Sequence, residues 1–96
     1  MQYQLTQAVF IILFRKVVIF IMLTTPTINM TTTGANIIAL IKTKGLKVTD
    51  VQTVFDFNTP QAIFKWMRGD AMPSIDNIVI LAHILDVPID EIIITT

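Results

Sequence analysis

The sequence predicts a compact all-α domain of five short helices over residues 34–96. Three observations predict this fold class. Apolar residues recur at intervals of three and four, as they do on the buried face of a helix. Residues that cap helix N termini stand before these segments, and Gly or Pro follows them. Residues 1–33, an apolar extension with a Thr-rich linker, share no period with the segments that follow.

The first two helices are predicted from apolar spacing and from the glycine between them. One helix fits residues 34–44, and Gly45 suits its C-terminal cap. A second helix fits residues 48–55, where Asp50 stands near the positive N-terminal end. The inward positions are Ile37, Leu40 and Ile41 in the first helix and Val48, Val51 and Phe55 in the second.

The other three helices are predicted from their start and stop residues. Pro60 suits the first turn of a third helix, which runs to Arg68 and stops at Gly69. Ser74 caps a fourth helix, and Pro88 opens a last one of one to two turns. The inward positions of the fourth helix are Ile75, Ile78, Leu81, Ala82 and Leu85. Because the second and third helices are joined by a short turn, they form a helix-turn-helix.

Composition excludes most kinds of active site. The chain has no Cys, so it has neither disulfides nor thiolate metal sites, and its one His, His83, is expected at the surface. A single His does not provide a His-based zinc site or a Ser-His-Asp device. Gly34, Gly45 and Gly69 are isolated, so no Gly-rich phosphate loop is present. We expect no enzyme activity, no cofactor, no metal and no small-molecule substrate.

The N-terminal extension contains two apolar runs within residues 8–23, separated by Arg15-Lys16. A central Arg-Lys pair is costly in a bilayer, so we do not expect a membrane anchor. The runs could be strands or an extra helix. We favour a third hypothesis, that the reading frame starts too early and the working protein begins at Met22 or Met30. Residues 24–34 are predicted to be a linker.

Six blocks of sequence follow one another in a fixed order. They are Asn36-Ile37, Lys44-Gly45-Leu46, Phe55 with Phe57, PQAIFKWMRG (60–69), PSIDNI (73–78) and LDVPIDEI (85–92). Together they resemble the lambda-repressor-like, Xre-type helix-turn-helix family of bacterial and phage DNA-binding regulators. The resemblance covers residues 30–94. Its most specific part is the turn-plus-Trp block with the Pro-Ser-Ile-Asp-Asn block at a fixed distance after it.

This resemblance implies that the third helix is a recognition helix in the major groove of double-stranded DNA. Ile63 and Trp66 would face inward. Gln61 can pair bidentately with adenine, and Lys65 can bind guanine or a phosphate. Arg68, beside the glycine stop, suits a phosphate contact. The candidate DNA-binding residues are Thr49, Gln52, Asn58, Thr59, Gln61, Phe64, Lys65 and Arg68.

Several of these positions leave alternatives open. Phe64 follows an inward residue, and it either packs in a partly exposed position or contacts a thymine methyl group. The turn before the third helix is one residue longer than in many members, so the register of Asn58 and Thr59 against DNA is open. Many members carry a cation where Ile41 stands and an acid or amide where Met67 stands. Here both are apolar, and we predict that they touch.

Apolar residues also occur outside the predicted inward faces, at Ile38, Val79, Ile80 and Ile84 and in the EIIITT tail. Small monomers rarely expose a contiguous patch of this kind. The patch could belong to a slightly larger core, could pack against residues 8–23, or could join two subunits. The tentative dimer-interface residues are Ile80, Ile84 and Ile93.

The net charge of the predicted domain does not decide whether its partner is DNA or another protein. Residues 34–96 carry five cations and seven acids, a net charge of −2, although the cations fall early and the acids late. We predict a cytoplasmic, sequence-specific transcriptional regulator, a repressor that acts as a homodimer on an operator. The alternative is a protein-interaction module, antitoxin-like or an adaptor, that keeps the helix-turn-helix fold. The acidic balance keeps this alternative open, since fewer cations release fewer counterions from DNA and predict weak non-specific binding.

Overall fold

A computed structural model describes residues 2–23 and 25–96, and it describes side chains from residue 7 onward except at position 24. The described chain is all-helical apart from one isolated bridge, as predicted. The helices are α1 (Gln2–Leu23), α2 (Met30–Thr43), α3 (Val48–Phe55), α4 (Gln61–Arg68), α5 (Ile75–Leu85) and α6 (Ile89–Ile92). Helices α2 to α6 correspond to the five predicted helices.

Helix α2 begins four residues earlier than predicted. Asn29 caps it, because the Asn29 side-chain oxygen accepts a hydrogen bond from the Thr32 amide at 3.0 Å. Residues 30–34 of the predicted linker are therefore helix. At the other end, Gly45 adopts φ +69°, and the Leu46 amide donates to the Ile41 carbonyl at 3.1 Å. These features form the Schellman motif that the glycine predicted.

The boundaries of the later helices follow the prediction closely. Gly69 ends α4 in the left-handed conformation, with φ +78°. The Ser74 hydroxyl accepts from the Asn77 amide at 3.2 Å and so caps α5. The inward assignment of Ile75 is wrong, since its side chain is 82% exposed. Ile75 is the first residue of α5, and the buried stripe of this helix begins one turn later at Ile78.

One hydrophobic core holds α2 to α6 together. Its buried members are Ile37, Ile41, Val51, Ile63, Trp66, Ile78, Leu81, Leu85 and Ile92. Met67 is half-buried and packs against this core, to which Ile41 belongs. Direct contact between Ile41 and Met67 stays a prediction. His83 is exposed, as predicted.

The segment before α2 is fastened to the C-terminal tail. The Asn29 amide donates to the Ile94 carbonyl, and the Thr96 amide donates to the Thr27 carbonyl, both at 2.8 Å. The buried Thr33 hydroxyl accepts from the Ile94 amide at 2.9 Å. These bonds close the helical domain by joining its two ends.

Helix α1 accounts for the apolar runs of the N-terminal extension, so the alternative of two strands is wrong. From residue 7 to residue 23 its side chains are exposed, except for the half-buried Val18. Within the described residues, no helix is both long enough and apolar enough to cross a bilayer.

Candidate nucleic-acid interface

Helix α4 is held against α2 by a close backbone approach. A Cβ atom on Gly34 would lie 2.5 Å from the Met67 carbonyl oxygen and 2.6 Å from the Trp66 carbonyl oxygen. A Cβ on Gly69 would lie 2.9 Å from the backbone of Met30. The C-terminal half of α4 therefore lies directly on the first turns of α2, and both ends of this contact need glycine.

The inner face of α4 is fixed by aromatic packing. Trp66 meets Phe55 and Phe57 edge-on, with ring centroids 5.5 and 6.0 Å apart. The two phenylalanine rings stack on each other at 5.1 Å. Trp66 and Ile63 are both buried, which confirms that they face the core. Edge-to-face and offset-stacked pairs are the favoured aromatic arrangements, so this cluster also ties the turn to the helix.

The outer face of α4 consists of four exposed side chains, those of Gln61, Phe64, Lys65 and Arg68. Their spacing of three, four and seven residues puts them on one side of the helix. Ala62 and Met67, which flank this stripe, are half-buried. The helix thus presents an amide, an aromatic ring and two cations from a rigid base.

The turn that leads into α4 is held by Gln52. The Gln52 side-chain amide donates to the Phe57 carbonyl at 3.1 Å, and Gln52 is half-buried. Asp56 ends α3 in the left-handed conformation, with φ 55°. The structure therefore gives Gln52 a bracing role within the turn, which the sequence did not reveal because the bond depends on the conformation of the turn.

Asn58 and Thr59 lie in the turn rather than on α4, since Pro60 is the N-cap residue and the helix begins at Gln61. Both side chains are exposed. No side chain caps the N terminus of α4. Asn58 and Thr59 therefore stand beside the exposed start of the helix, next to Gln61.

Thr49 is exposed in the first turn of α3, two residues after the N-cap residue Lys47. The Lys47 amide donates to the Asp50 carboxylate at 2.7 Å, which fixes the start of α3. The exposed cations Lys42, Lys44 and Lys47 follow one another around the end of α2 and the start of α3.

Arg68 is already engaged within the chain. Its Nε atom lies 2.8 Å from the Asp70 carboxylate, and both side chains are mostly exposed. An exposed pair of this kind is weak and exchanges easily with other partners. Sequence reasoning overlooked this pairing, although a carboxylate two residues beyond the cation was a visible signal.

The tentative interface residues differ in exposure. Ile80 is 39% exposed on α5, whereas Ile84 and Ile93 are half-buried. Ile93 packs against the core. The neighbouring exposed apolar residues are Ile75, Val79 and Ile89. Ile80 and Ile84 lie on α5, and Ile93 is the C-cap residue of α6, so these residues do not share an element with the outer face of α4.

Comparison with known families supports the helix-turn-helix formed by α3, the turn and α4. A family model described as helix-turn-helix matches residues 37–92, which is more than half of the chain. That segment contains the whole of α3, the turn and α4. Among curated proteins, none has a sequence that matches this chain.

Solved structures share the fold at low sequence identity. The restriction-modification controller protein C.AhdI from Aeromonas hydrophila is 23% identical with a TM-score of 0.60, over 67% of this chain and 96% of that chain. The DNA-binding domain of BldD is 21% identical with a TM-score of 0.58, over 68% and 93%. The S. venezulae BldD DNA-binding domain is 22% identical with a TM-score of 0.56, over 67% and 94%.

Proposed function

Because the chain belongs to the lambda-repressor-like, Xre-type helix-turn-helix family, we propose that it is a transcriptional regulator that binds double-stranded DNA through the outer face of α4. The observation that carries the proposal is the contrast between the two faces of this helix. Ile63 and Trp66 are locked into the core, while Gln61, Lys65 and Arg68 are exposed. A recognition helix requires a rigid base and exposed polar side chains.

Each polar side chain then has a distinct task. Gln61, in the first turn of α4, reads a base edge, and adenine is its bidentate partner. Lys65, one turn later, binds guanine or a phosphate. Asn58 and Thr59, exposed beside the start of the helix, and Thr49 in α3 serve as donors to the flanking DNA.

Gln52 and Arg68 already have partners within the chain. To contact DNA, Gln52 must gain a second partner and Arg68 must exchange the one it has. The Gln52 amide group has a second N–H beyond the one given to Phe57, and this N–H is available to a phosphate. Arg68 exchanges the exposed Asp70 carboxylate for a phosphate. We therefore assign both residues to backbone contacts, which position the protein without reading sequence.

Selection from a random duplex pool at low and moderate salt tests the proposal. We expect enrichment of one sequence, with binding that weakens steeply as salt rises. Gln61→Ala should relax the preference at about one base pair, while Lys65→Ala should weaken binding more uniformly if it contacts phosphate. A selected motif that Gln61→Ala leaves intact would contradict the base-reading role. No binding at low salt would contradict DNA binding altogether.

The second candidate, a protein-interaction module, is favoured by one observation. The residues that follow Gly69 include five acids and no Lys or Arg. An acidic C-terminal segment repels DNA and weakens non-specific binding. Absence of duplex binding, together with a folded protein, would favour this module.

We further propose that the regulator is a repressor that acts as a homodimer through α5 and α6. Ile80, Ile84 and Ile93 would join the subunits, so that two α4 helices reach half-sites about 34 Å apart. Ile80→Glu should shift sedimentation to the monomer and weaken binding to the two-half-site duplex. Ala39→Glu, at an exposed position of α2, adds the same single charge and is the control. A dimer that survives Ile80→Glu would contradict this interface.

A further inference from the structure

The one apolar side chain on the outer face of α4 is unexplained by phosphate or polar base contacts. Phe64 is 41% exposed and stands between Gln61 and Lys65 on this face. From this placement we infer that Phe64 reads the methyl group of a thymine in the operator. The inference rests on the proposed DNA-binding function and adds a second base to its specificity.

Phe64 is not one of the buried side chains that seat α4. The hydrophobic core and the half-buried residues packed against it do not include this side chain. Within the described part of the chain, the aromatic pairs around α4 join Phe55, Phe57 and Trp66, and Phe64 is in none of them. The ring therefore lies outside the cluster that seats the helix.

The chemistry of the major groove selects the ligand. Thymine C5-methyl is the one apolar group that a base pair of unmodified DNA presents there, and apolar side chains such as Phe contact it. Because Phe64 lies three residues after Gln61, it faces the groove one turn further along α4. The selected half-site should therefore contain a thymine near the base pair read by Gln61.

Replacement of thymine by uracil tests this inference at the level of the methyl group. Each thymine of the selected duplex is replaced in turn by deoxyuridine, and the Kd is measured by fluorescence anisotropy for wild type and Phe64→Ala. We expect one position per half-site at which loss of the methyl weakens wild-type binding about fourfold, the value of one buried methyl-sized group. Phe64→Ala should bind the thymine and uracil duplexes equally.

Two further variants keep the test decisive. Phe64→Leu retains an apolar side chain and should retain the preference for thymine, even if Phe64→Ala folds poorly. Ile75→Ala removes a more exposed apolar side chain from α5 and should leave the preference unchanged. Wild-type binding that is insensitive to every uracil substitution would overturn the inference and leave the proposed function standing. Absence of any duplex binding would overturn both.

Discussion

Gly34→Ala should destabilise the domain, although alanine is the better helix former. The added Cβ would lie 2.5 Å from the Met67 carbonyl oxygen, whereas ordinary van der Waals contact begins at 3.4 Å. Helices α2 and α4 must therefore move apart by about 0.9 Å, the difference between these two distances. The neighbouring atoms are backbone atoms of α4, so no flexible side chain can swing away to relieve the clash.

The magnitude follows from two opposing terms. Overpacking of a well-packed contact costs about 3 kcal/mol at the upper end of its usual range, which suits a clash with backbone. Replacement of Gly by Ala within a helix returns about 1 kcal/mol. The net loss is about 2 kcal/mol, which lowers the Tm of a domain of this size by roughly 8–16 °C.

Thermal unfolding followed by circular dichroism measures this effect. Ala39→Gly, at an exposed position of α2, is the matched control, since it changes helix propensity alone and should cost about 1 kcal/mol. If Gly34→Ala raises the Tm by the amount that Ala39→Gly lowers it, propensity decides at position 34. That result would refute the close approach of α2 to α4.

Three further predictions concern other parts of the domain. Asn36→Ala removes the amide that donates to the Glu91 and Ile92 carbonyls. Urea unfolding should show that the free energy of unfolding falls by about 1 kcal/mol. An unchanged urea midpoint would contradict a stabilising role for these hydrogen bonds. Ser74→Ala removes the α5 cap and should cost about 1 kcal/mol in the same assay, whereas no loss would mean that the cap is dispensable. Asp70→Asn frees Arg68 and should tighten non-specific DNA binding at low salt, which unchanged affinity would disprove.

The sequence predicted the helices well because the residues at their ends have few structural roles other than to stop or cap a helix. Gly45, Gly69 and Ser74 each stop or cap a helix where predicted. The start of α2 was misplaced because the Asn29 cap lies within a Thr-rich stretch. Asn29 is held by a hydrogen bond to Ile94, and such long-range pairing leaves no local signal.

Helical periodicity predicted which residues of the candidate site are exposed, but it did not predict the hydrogen bonds within the site. The exposed stripe from Gln61 to Arg68 follows from helical spacing once Ile63 and Trp66 are placed inward. The brace from Gln52 to Phe57 depends on the conformation of the turn, which local sequence patterns do not specify. Likewise, which rings fill the aromatic cluster, Phe55 and Phe57 with Trp66, depends on tertiary packing rather than on local spacing.

The most direct test of the central claim is the map of backbone amide chemical-shift changes when the selected duplex is added to 15N-labelled protein. We expect the largest changes on residues 58–68 and on the first turn of α3, with little change along α5. Changes that cluster on α5 and α6 and spare α4 would contradict the claim that the outer face of α4 binds DNA.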